Sequence, residues 1–230
     1  MVAATSLAER IANVRQRVAE AARAAGRDPA AVAIVAVSKT VGREAVDEAY
    51  RLGLRQFGEN RVQDAAAKFA APLPGDASLH LIGHLQSNKA RAAARLFDLI
   101  ESVDRLSVIE ALAREGERLG RPIPVLLQVN VAREPQKAGC PPEAAADLVD
   151  RIEAAAWLEL RGLMTIAPLV EDPEATRPVF AGLRRLRDDL ERARPGLTLP
   201  HLSMGMTNDY PIAIEEGATE VRVGRAIFVG

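Results

Sequence analysis

The chain has 230 residues, of which 48% are hydrophobic and 27% are charged, a composition typical of a globular protein with a sizeable core. Its 30 basic and 31 acidic residues give a net charge of −1, so we expect no global attraction to nucleic acid or to an anionic membrane. Aromatic residues make up only 3%, which is too few to provide stacking platforms for a series of unpaired bases.

The cysteine and histidine content argues against a disulfide framework and against a metal site. Cys140 is the single cysteine, and three histidines form no cluster with the spacing of structural zinc ligands. We therefore expect a reducing compartment, the cytoplasm. No run of 18 apolar residues and no secretory leader is present. Residues 1–27 are Arg-rich and amphipathic, as a mitochondrial presequence would be, but Glu9 and Glu20 favour a structural helix.

The first predicted element is an amphipathic helix near the N-terminus. Its apolar residues recur at steps of four, three and four, at Leu7, Ile11, Val14 and Val18, which places them on one face. Ser6 and Glu9 have the spacing of a capping box, and Gly26 marks the end of the helix.

After this helix the sequence alternates between β-prone runs and helix-like stretches. The eight β-prone runs are 32–39, 55–60, 78–83, 98–103, 123–130, 158–166, 199–205 and 220–224. Between them lie helix-like stretches at 42–53, 61–70, 86–96, 105–119, 141–156, 173–193 and 208–216. Several strands are apolar on both alternating positions, as a parallel sheet covered on both faces requires.

This alternation predicts an α/β fold, a single (β/α)₈ barrel of the TIM type with an extra N-terminal helix. Residues 1–230 form one predicted domain, because no Pro/Gly/Ser-rich linker divides the chain. The N-terminal helix is expected to occupy the place of the missing last outer helix. An open doubly wound sheet would share the local pattern, but the strand count of eight favours the barrel.

Barrel enzymes and binding proteins place their sites at the carboxyl ends of the strands, and Lys39 is the most informative residue there. The chain contains only four lysines, Lys39, Lys68, Lys89 and Lys137, and Lys39 ends a wholly apolar run. A desolvated amine at this position could form a Schiff base, which an arginine could not. The alternative is a lysine that extends from the barrel rim into water.

The ends of strands 7 and 8 predict a phosphate pocket. Residues 203–207 have the sequence Ser-Met-Gly-Met-Thr before a predicted helix, and Gly224 and Arg225 end strand 8. These segments offer hydroxyl and backbone N–H donors, as barrel phosphate sites do, although ordinary turn glycines would produce the same pattern. Facing Lys39, such a pocket would take a phosphorylated carbonyl compound, either pyridoxal 5′-phosphate or the sugar phosphate of a Schiff-base aldolase.

Arg222 favours the first of these ligands, provided that its side chain points into the barrel. An inward guanidinium could donate to a pyridine nitrogen, where a carboxylate would instead keep that nitrogen protonated. An outward arginine between helices is the alternative.

The other polar residues near strand ends are weaker candidates. Asn60 and Asn130 are either ligand donors or caps, and His84 is more readily explained as a loop residue. His80 and His201 are expected to be core histidines, and Cys140 is expected to be inert. Lys137 is either a solvated lysine or a second amine above the same site.

Several segments together resemble one protein family. They are Val37-Ser38-Lys39-Thr40, residues 57–63 (FGENRVQ), residues 80–89 (HLIGHLQSNK), residues 162–165 (GLMT), residues 202–206 (LSMGM) and residues 220–224 (EVRVG). In this order they resemble the YggS/PROSC family of pyridoxal phosphate homeostasis proteins, itself similar to the N-terminal barrel of alanine racemase, the fold type III arrangement.

The resemblance implies roles for particular residues. Lys39 would be the internal-aldimine lysine, and Arg222 the partner of the pyridine nitrogen. Ser203, Gly224 and Arg225 would bind the phosphate, the last two through backbone N–H groups. Asn60, Gly205 and Thr207 would form the walls. Position 225 often carries a small hydroxyl residue in the family, so the resemblance implies a role only for the main chain of Arg225.

The family resemblance implies a monomeric carrier of pyridoxal phosphate that acts in cofactor homeostasis and amino-acid balance. It would have no catalytic residues, and apo-enzymes that receive the cofactor would be its partners. The alternative is a small fold type III amino-acid racemase. Racemisation needs acid–base groups on both faces of the substrate, and the second base of alanine racemase comes from a domain that is not found in this sequence.

Overall fold

The structure is a computed structural model that describes residues 5–229. Eight parallel strands follow one another around a closed barrel from β1 to β8, and β8 pairs with β1. This confirms the predicted barrel and excludes the open doubly wound sheet. Residues 1–4 and 230, which belong to the predicted domain, lie outside the described residues.

The strands are short and occupy the predicted runs. They are β1 (Ala33–Val37), β2 (Gln56–Glu59), β3 (Ser78–Leu81), β4 (Leu99–Val103), β5 (Ile123–Gln128), β6 (Leu158–Met164), β7 (His201–Met206) and β8 (Glu220–Val223). Most end one or two residues before the predicted limit, so several of the predicted strand-end residues lie in the turns above the barrel.

Helices surround the barrel in the predicted alternation. They are α1 (Leu7–Ala24), α2 (Arg43–Arg51), α3 (Val62–Lys68), α4 (Ala90–Leu96), α5 (Leu106–Leu119), α6 (Ala145–Glu153), α7 (Arg177–Ala193), α8 (Tyr210–Glu215) and α9 (Arg225–Phe228). Single turns of 3₁₀ helix lie at Pro29–Ala31, Ser87–Lys89, Pro142–Ala144 and Pro173–Thr176. The short helix α9 was not predicted, because four residues are too few to show a helical period.

Helix α1 begins and packs as the sequence predicts. The Ser6 hydroxyl accepts the Glu9 N–H at 3.2 Å, and the Glu9 carboxylate accepts the Ser6 N–H at 2.7 Å, which completes the capping box. The helix packs against α8 and α9, and Arg10 Nε donates to the Ile227 carbonyl at 2.7 Å. Helix α1 therefore occupies the position of the last outer helix, beside the strand that closes the barrel.

The two faces of the sheet differ in chemistry. Between strands and helices lies the large apolar core, which includes Phe57, Phe97 and Phe180. A separate, smaller buried cluster contains Leu99, Leu126 and Met164. The barrel interior also buries polar side chains, among them Glu101, Ser203 and Arg222. No helix among the described residues is both long and apolar enough to cross a membrane.

Candidate functional site

A cavity of about 410 Å³ lies at the carboxyl ends of the strands. Its lining comes from the turns after β1, β2, β3, β6, β7 and β8 and includes Lys39, Asn60, Thr207, Asp209, Arg222, Gly224 and Arg225. The volume falls in the range of small-molecule sites, and the position is the one that barrels use for function.

The structure brings six of the eight predicted site residues to this cavity. Lys39 on the β1 side faces the segment that contains Thr207, Gly224 and Arg225, because β8 pairs with β1 through Val35 and Arg222. Asn60 lies beside them. The other two predicted residues, Ser203 and Gly205, do not line the cavity.

Lys39 is exposed, which corrects the expectation of a desolvated amine. Strand β1 ends at Val37, so Lys39 lies in the following turn, above the apolar strand rather than within it. The described residues contain no acidic group within 4.0 Å of its amine. The amine is therefore free to meet a ligand in the cavity.

The turn that carries Lys39 is held by a buried ion pair that the sequence analysis missed. Lys68 Nζ, from α3, donates to the Ser38 carbonyl at 2.7 Å and to Glu59 Oε1 at 2.8 Å. The Ser38 hydroxyl also donates to Glu59 Oε1, at 2.7 Å. The Glu59 side chain is 1% exposed. These contacts join the ends of β1 and β2 and fix the backbone next to Lys39.

Arg222 points into the barrel and lines the cavity, so of the two orientations left open by the sequence the structure has the inward one. Its NH1 group donates to Ser203 Oγ at 2.6 Å, and NH2 donates to the Thr165 carbonyl at 2.7 Å. Burial lowers the pKa of Arg222, and the Glu101, Asp209 and Glu220 carboxylates oppose this effect. A guanidinium has five N–H donors, so donors remain for a ligand above it.

The place of Ser203 corrects its predicted role as a phosphate ligand. Strand β7 continues for three residues beyond Ser203, to Met206, so this side chain lies deep in the barrel. Its buried hydroxyl accepts from Arg222 and donates to Glu101 Oε2 at 2.5 Å. Thr207, the first residue after β7, is the hydroxyl residue that lines the cavity.

Gly205 has a structural role rather than the predicted wall position. Its φ is +92°, a conformation that side-chain-bearing residues rarely adopt. A Cβ at this position would lie 2.6 Å from Ala213 Cβ and 2.9 Å from Tyr210 Cα. Glycine is therefore required for β7 to pass close to α8.

The turn after β8 places Gly224 and Arg225 at the cavity. Gly224 precedes α9, and Arg225 is the first residue of that helix. The first N–H groups of a helix have no acceptor within it. A Cβ on Gly224 would lie 3.1 Å from the Val37 carbonyl oxygen, so glycine lets β8 approach β1 closely beneath the cavity.

The hydrogen bonds of Arg222 continue through Ser203 and Glu101 to His80 and form a buried polar network inside the barrel. His80 Nδ1 lies 2.8 Å from Glu101 Oε1, and His80 Nε2 lies 3.1 Å from the Ser78 hydroxyl. Burial alone would lower the pKa of His80, but the hydrogen bond and charge of Glu101 raise it above its usual value. Burial likewise opposes ionisation of Glu101, yet His80 and Arg222 lower the pKa of that carboxyl.

This network also contains the one group of possible metal ligands among residues 5–229, namely His80, Glu101 and Glu220. His80 is already paired with Glu101, and His201 Nδ1 lies 2.6 Å from Glu220 Oε1. The arrangement is therefore a set of hydrogen-bonded pairs. His80 is the buried histidine that was expected, whereas the His201 side chain is 34% exposed, so the expectation of a core histidine is wrong for His201.

The weaker candidates have local roles. Asn130 Nδ2 donates to the Glu134 carbonyl at 2.8 Å, which makes it a loop-stabilising residue. Lys137 is paired with Glu134 and donates to the Ala167 carbonyl at 2.9 Å. Cys140 is buried, and this burial raises the pKa of its thiol to about 12, so the thiol is inert.

A second cavity, of about 450 Å³, lies at the opposite end of the barrel. Residues of α1 and of the starts of β1 and β2, among them Arg15 and Gln56, line it. Active sites of barrels lie at the other end, so its size does not make it the candidate site.

The comparison with known proteins now decides the family. The model of the alanine racemase N-terminal domain matches residues 10–230. A pyridoxal phosphate homeostasis protein of Pseudomonas aeruginosa is 45% identical over 97% of this chain and 95% of its own length. That of Aquifex aeolicus is 40% identical over 96% of both chains. The chain belongs to the pyridoxal phosphate homeostasis protein family.

Solved structures agree with this assignment. PipY of Synechococcus elongatus with pyridoxal phosphate bound is 41% identical, with a TM-score of 0.86 over 97% of this chain and 100% of PipY. Alanine racemase of Clostridium difficile is 12% identical, with a TM-score of 0.72 over 93% of this chain and 56% of the racemase. The racemase shares the fold of this homeostasis-family chain.

Proposed function

We propose that this chain binds pyridoxal 5′-phosphate in the 410 Å³ cavity and holds it as a Schiff base on Lys39. Membership of the homeostasis family and the cofactor-bound PipY structure support this proposal. The observation that carries it is the placement of Lys39, Arg222 and Thr207 around one cavity.

These three groups match three polar groups of the cofactor: the aldehyde, the phosphate and the pyridine nitrogen. An aldehyde forms a Schiff base with a primary amine, and Lys39 is the only lysine among the residues lining the cavity. The phosphate requires donors, which Thr207 and the main chain of Gly224 and Arg225 offer. Arg222 would donate to the pyridine nitrogen, and Asn60 would contact the ring. Ser203 would act by holding Arg222, and Gly205 by shaping the turn.

We further propose that the protein is a carrier in cofactor homeostasis and amino-acid balance, without catalytic turnover. When bound, the cofactor would supply an electrophilic imine, and an electron sink that an arginine at the nitrogen weakens. Neither tyrosine is available as a second base at the cavity. Tyr50 Oη donates to Asp76 at 2.5 Å, on the outside of the barrel, and Tyr210 is buried under α1 with Arg17 over its ring.

The alternative function is that of a small amino-acid racemase. An isotope-exchange experiment distinguishes it from a carrier. Holo-protein is incubated with L- and D-alanine in deuterated water, and α-deuterium is followed by NMR. A carrier gives no incorporation at enzymatic rates. Incorporation on the order of 1 per second that is lost in Lys39→Ala would establish the racemase instead. Transfer of the cofactor from holo-protein to an apo-enzyme, measured by recovery of that enzyme's activity, tests delivery.

The remaining parts of the proposal concern the state of the protein. We propose a single-domain monomer that works in the cytoplasm and binds neither nucleic acid nor membrane. Among the described residues, only Leu106, Leu169, Met206 and Val229 are large hydrophobics that are more than a third exposed, and Leu169 and Met206 border the cavity. Light scattering after gel filtration would detect a dimer.

A further inference from the structure

A smaller pocket, of about 230 Å³, adjoins the cofactor cavity on the side of β2 and β3. It lies between the turn after β2 and the segment after β3, and it is lined by Asn60, Arg61, Gln63, His84, Gln86 and Lys89, together with two buried apolar residues. Asn60 lines both this pocket and the cofactor cavity, so the two sites are neighbours.

The ionisable side chains of this pocket are all basic. Arg61, His84 and Lys89 contribute to its lining, and no acidic residue does. Asp104, which is outside this lining, lies 3.8 Å from His84. Arg105 pairs with Asp104 at 2.5 Å, so part of the charge of this carboxylate is already compensated.

Arg61 and Lys89 are the Arg and Lys side chains of this lining, and neither is held in an ion pair with another described residue. Among the described residues, neither has an ion-pair partner within 4.0 Å, whereas Lys68 and Lys137 are paired with Glu59 and Glu134. The two lysines without an acidic partner are thus Lys39, in the cofactor cavity, and Lys89, in the pocket beside it. Uncompensated cations in a concave site attract anions.

We propose that this pocket binds the anionic oxygen group of a small molecule, either a phosphate or a carboxylate. Arg61 offers a planar pair of donors that fits both groups, and Lys89 offers a compact charge. The amides of Gln63 and Gln86 supply neutral donors. Because Asn60 lines both sites, the remainder of the ligand would lie next to the cavity that contains Lys39. The proposal does not require that Lys39 hold a cofactor.

Amide NMR of the ¹⁵N-labelled apo-protein, titrated with inorganic phosphate and separately with acetate, tests this site. We expect saturable shifts at residues 60–63 and 84–89. The Arg61→Gln/Lys89→Gln double variant should weaken this binding about tenfold or more, since charge-assisted hydrogen bonds are lost. Arg91→Gln, which removes an exposed charge outside the pocket lining, should leave it unchanged, and far-UV circular dichroism checks folding.

The two titrations identify the source of the anion and can overturn the site. Stronger binding of phosphate indicates a phosphorylated ligand, and stronger binding of acetate indicates a carboxylate. Shifts confined to Thr207, Gly224 and Arg225, no saturable shift with either anion, or equal affinity in the double variant would each contradict the proposal. Loss of the Lys39 adduct in a separate experiment would leave this result unaffected.

Discussion

The Arg222 guanidinium and the Glu101 carboxylate lie 3.9 Å apart inside the barrel and are joined by the Ser203 hydroxyl. Both charged side chains are at most 3% exposed. A buried charge is tolerated when a partner and hydrogen bonds compensate its lost hydration. Ser203 therefore links the residue beneath the cavity to the His80–Glu101 pair deeper in the barrel.

Removing this link should destabilise the protein. Ser203→Ala deletes one donor and one acceptor between two buried charges, so we expect the free energy of unfolding to fall by about 1–3 kcal/mol. Urea unfolding of the apo-protein measures this change. Ser87→Ala, at an exposed position, is the matched control and should shift it by less than about 0.5 kcal/mol. Equal effects of the two substitutions would show that the bridge contributes nothing.

The His80–Glu101 pair predicts a loss of stability on both sides of a pH optimum. The pKa of His80 is raised above 6.5 in the folded protein, so its contribution is complete below pH 6.5 and is lost as pH rises through the folded pKa. The pKa of Glu101 is lowered below 4.5, so its contribution is present above pH 4.5 and is lost as pH falls through the folded pKa.

Urea unfolding between about pH 6 and pH 8 separates the histidine from Glu101, which stays ionised there, and from Cys140, whose thiol affects stability only at higher pH. A titrating group changes the free energy of unfolding by up to about 1.4 kcal/mol per pH unit. His80→Gln cannot titrate, and its free energy of unfolding should depend less on pH in this range than that of the wild type. His84→Gln, at an exposed histidine, should keep the wild-type dependence. A wild-type slope retained in His80→Gln would exclude this role for His80.

The Lys68–Glu59 pair should be more sensitive to loss of one partner than to loss of both. Lys68→Met leaves Glu59 buried without its cation, which should cost about 3–5 kcal/mol of unfolding free energy. The Lys68→Met/Glu59→Gln double variant removes both charges and should recover part of that loss. Thermal or urea unfolding compares the two proteins. A double variant less stable than Lys68→Met would contradict the proposed pairing.

The sequence predicted the barrel because its signals are local and repeated. The eight apolar runs and the capping box at Ser6 and Glu9 each depend on a few neighbouring residues. The ends of β1 and β7 were less predictable, since a turn residue after an apolar run resembles the last residue of a strand. For this reason the apolar run before Lys39 predicts a desolvated amine, although the strand ends at Val37. The phosphate role of Ser203 rests on the family resemblance, since the residues alone leave both Ser203 and Thr207 as donors.

The periodicity of the sequence could not predict which polar side chains point into the barrel. Strands covered on both faces are apolar at odd and even positions alike, so parity does not show which side chains point inward. Glu101 lies within the fully buried strand β4, and a charge at such a position requires a partner. This signal could have indicated pairing with Arg222 or His80, but only the closed barrel brings β4 opposite β8.

Reduction with borohydride, followed by peptide mass mapping, tests the central proposal most directly. Wild-type protein loaded with pyridoxal phosphate should show a visible chromophore and, after reduction, one stable adduct on Lys39. Lys39→Ala should lose both, whereas Lys137→Ala, a matched loss of a lysine that is paired with Glu134, should keep both. A stable adduct on Lys137, Lys89 or Lys68 of wild-type protein, with none on Lys39, would contradict the account.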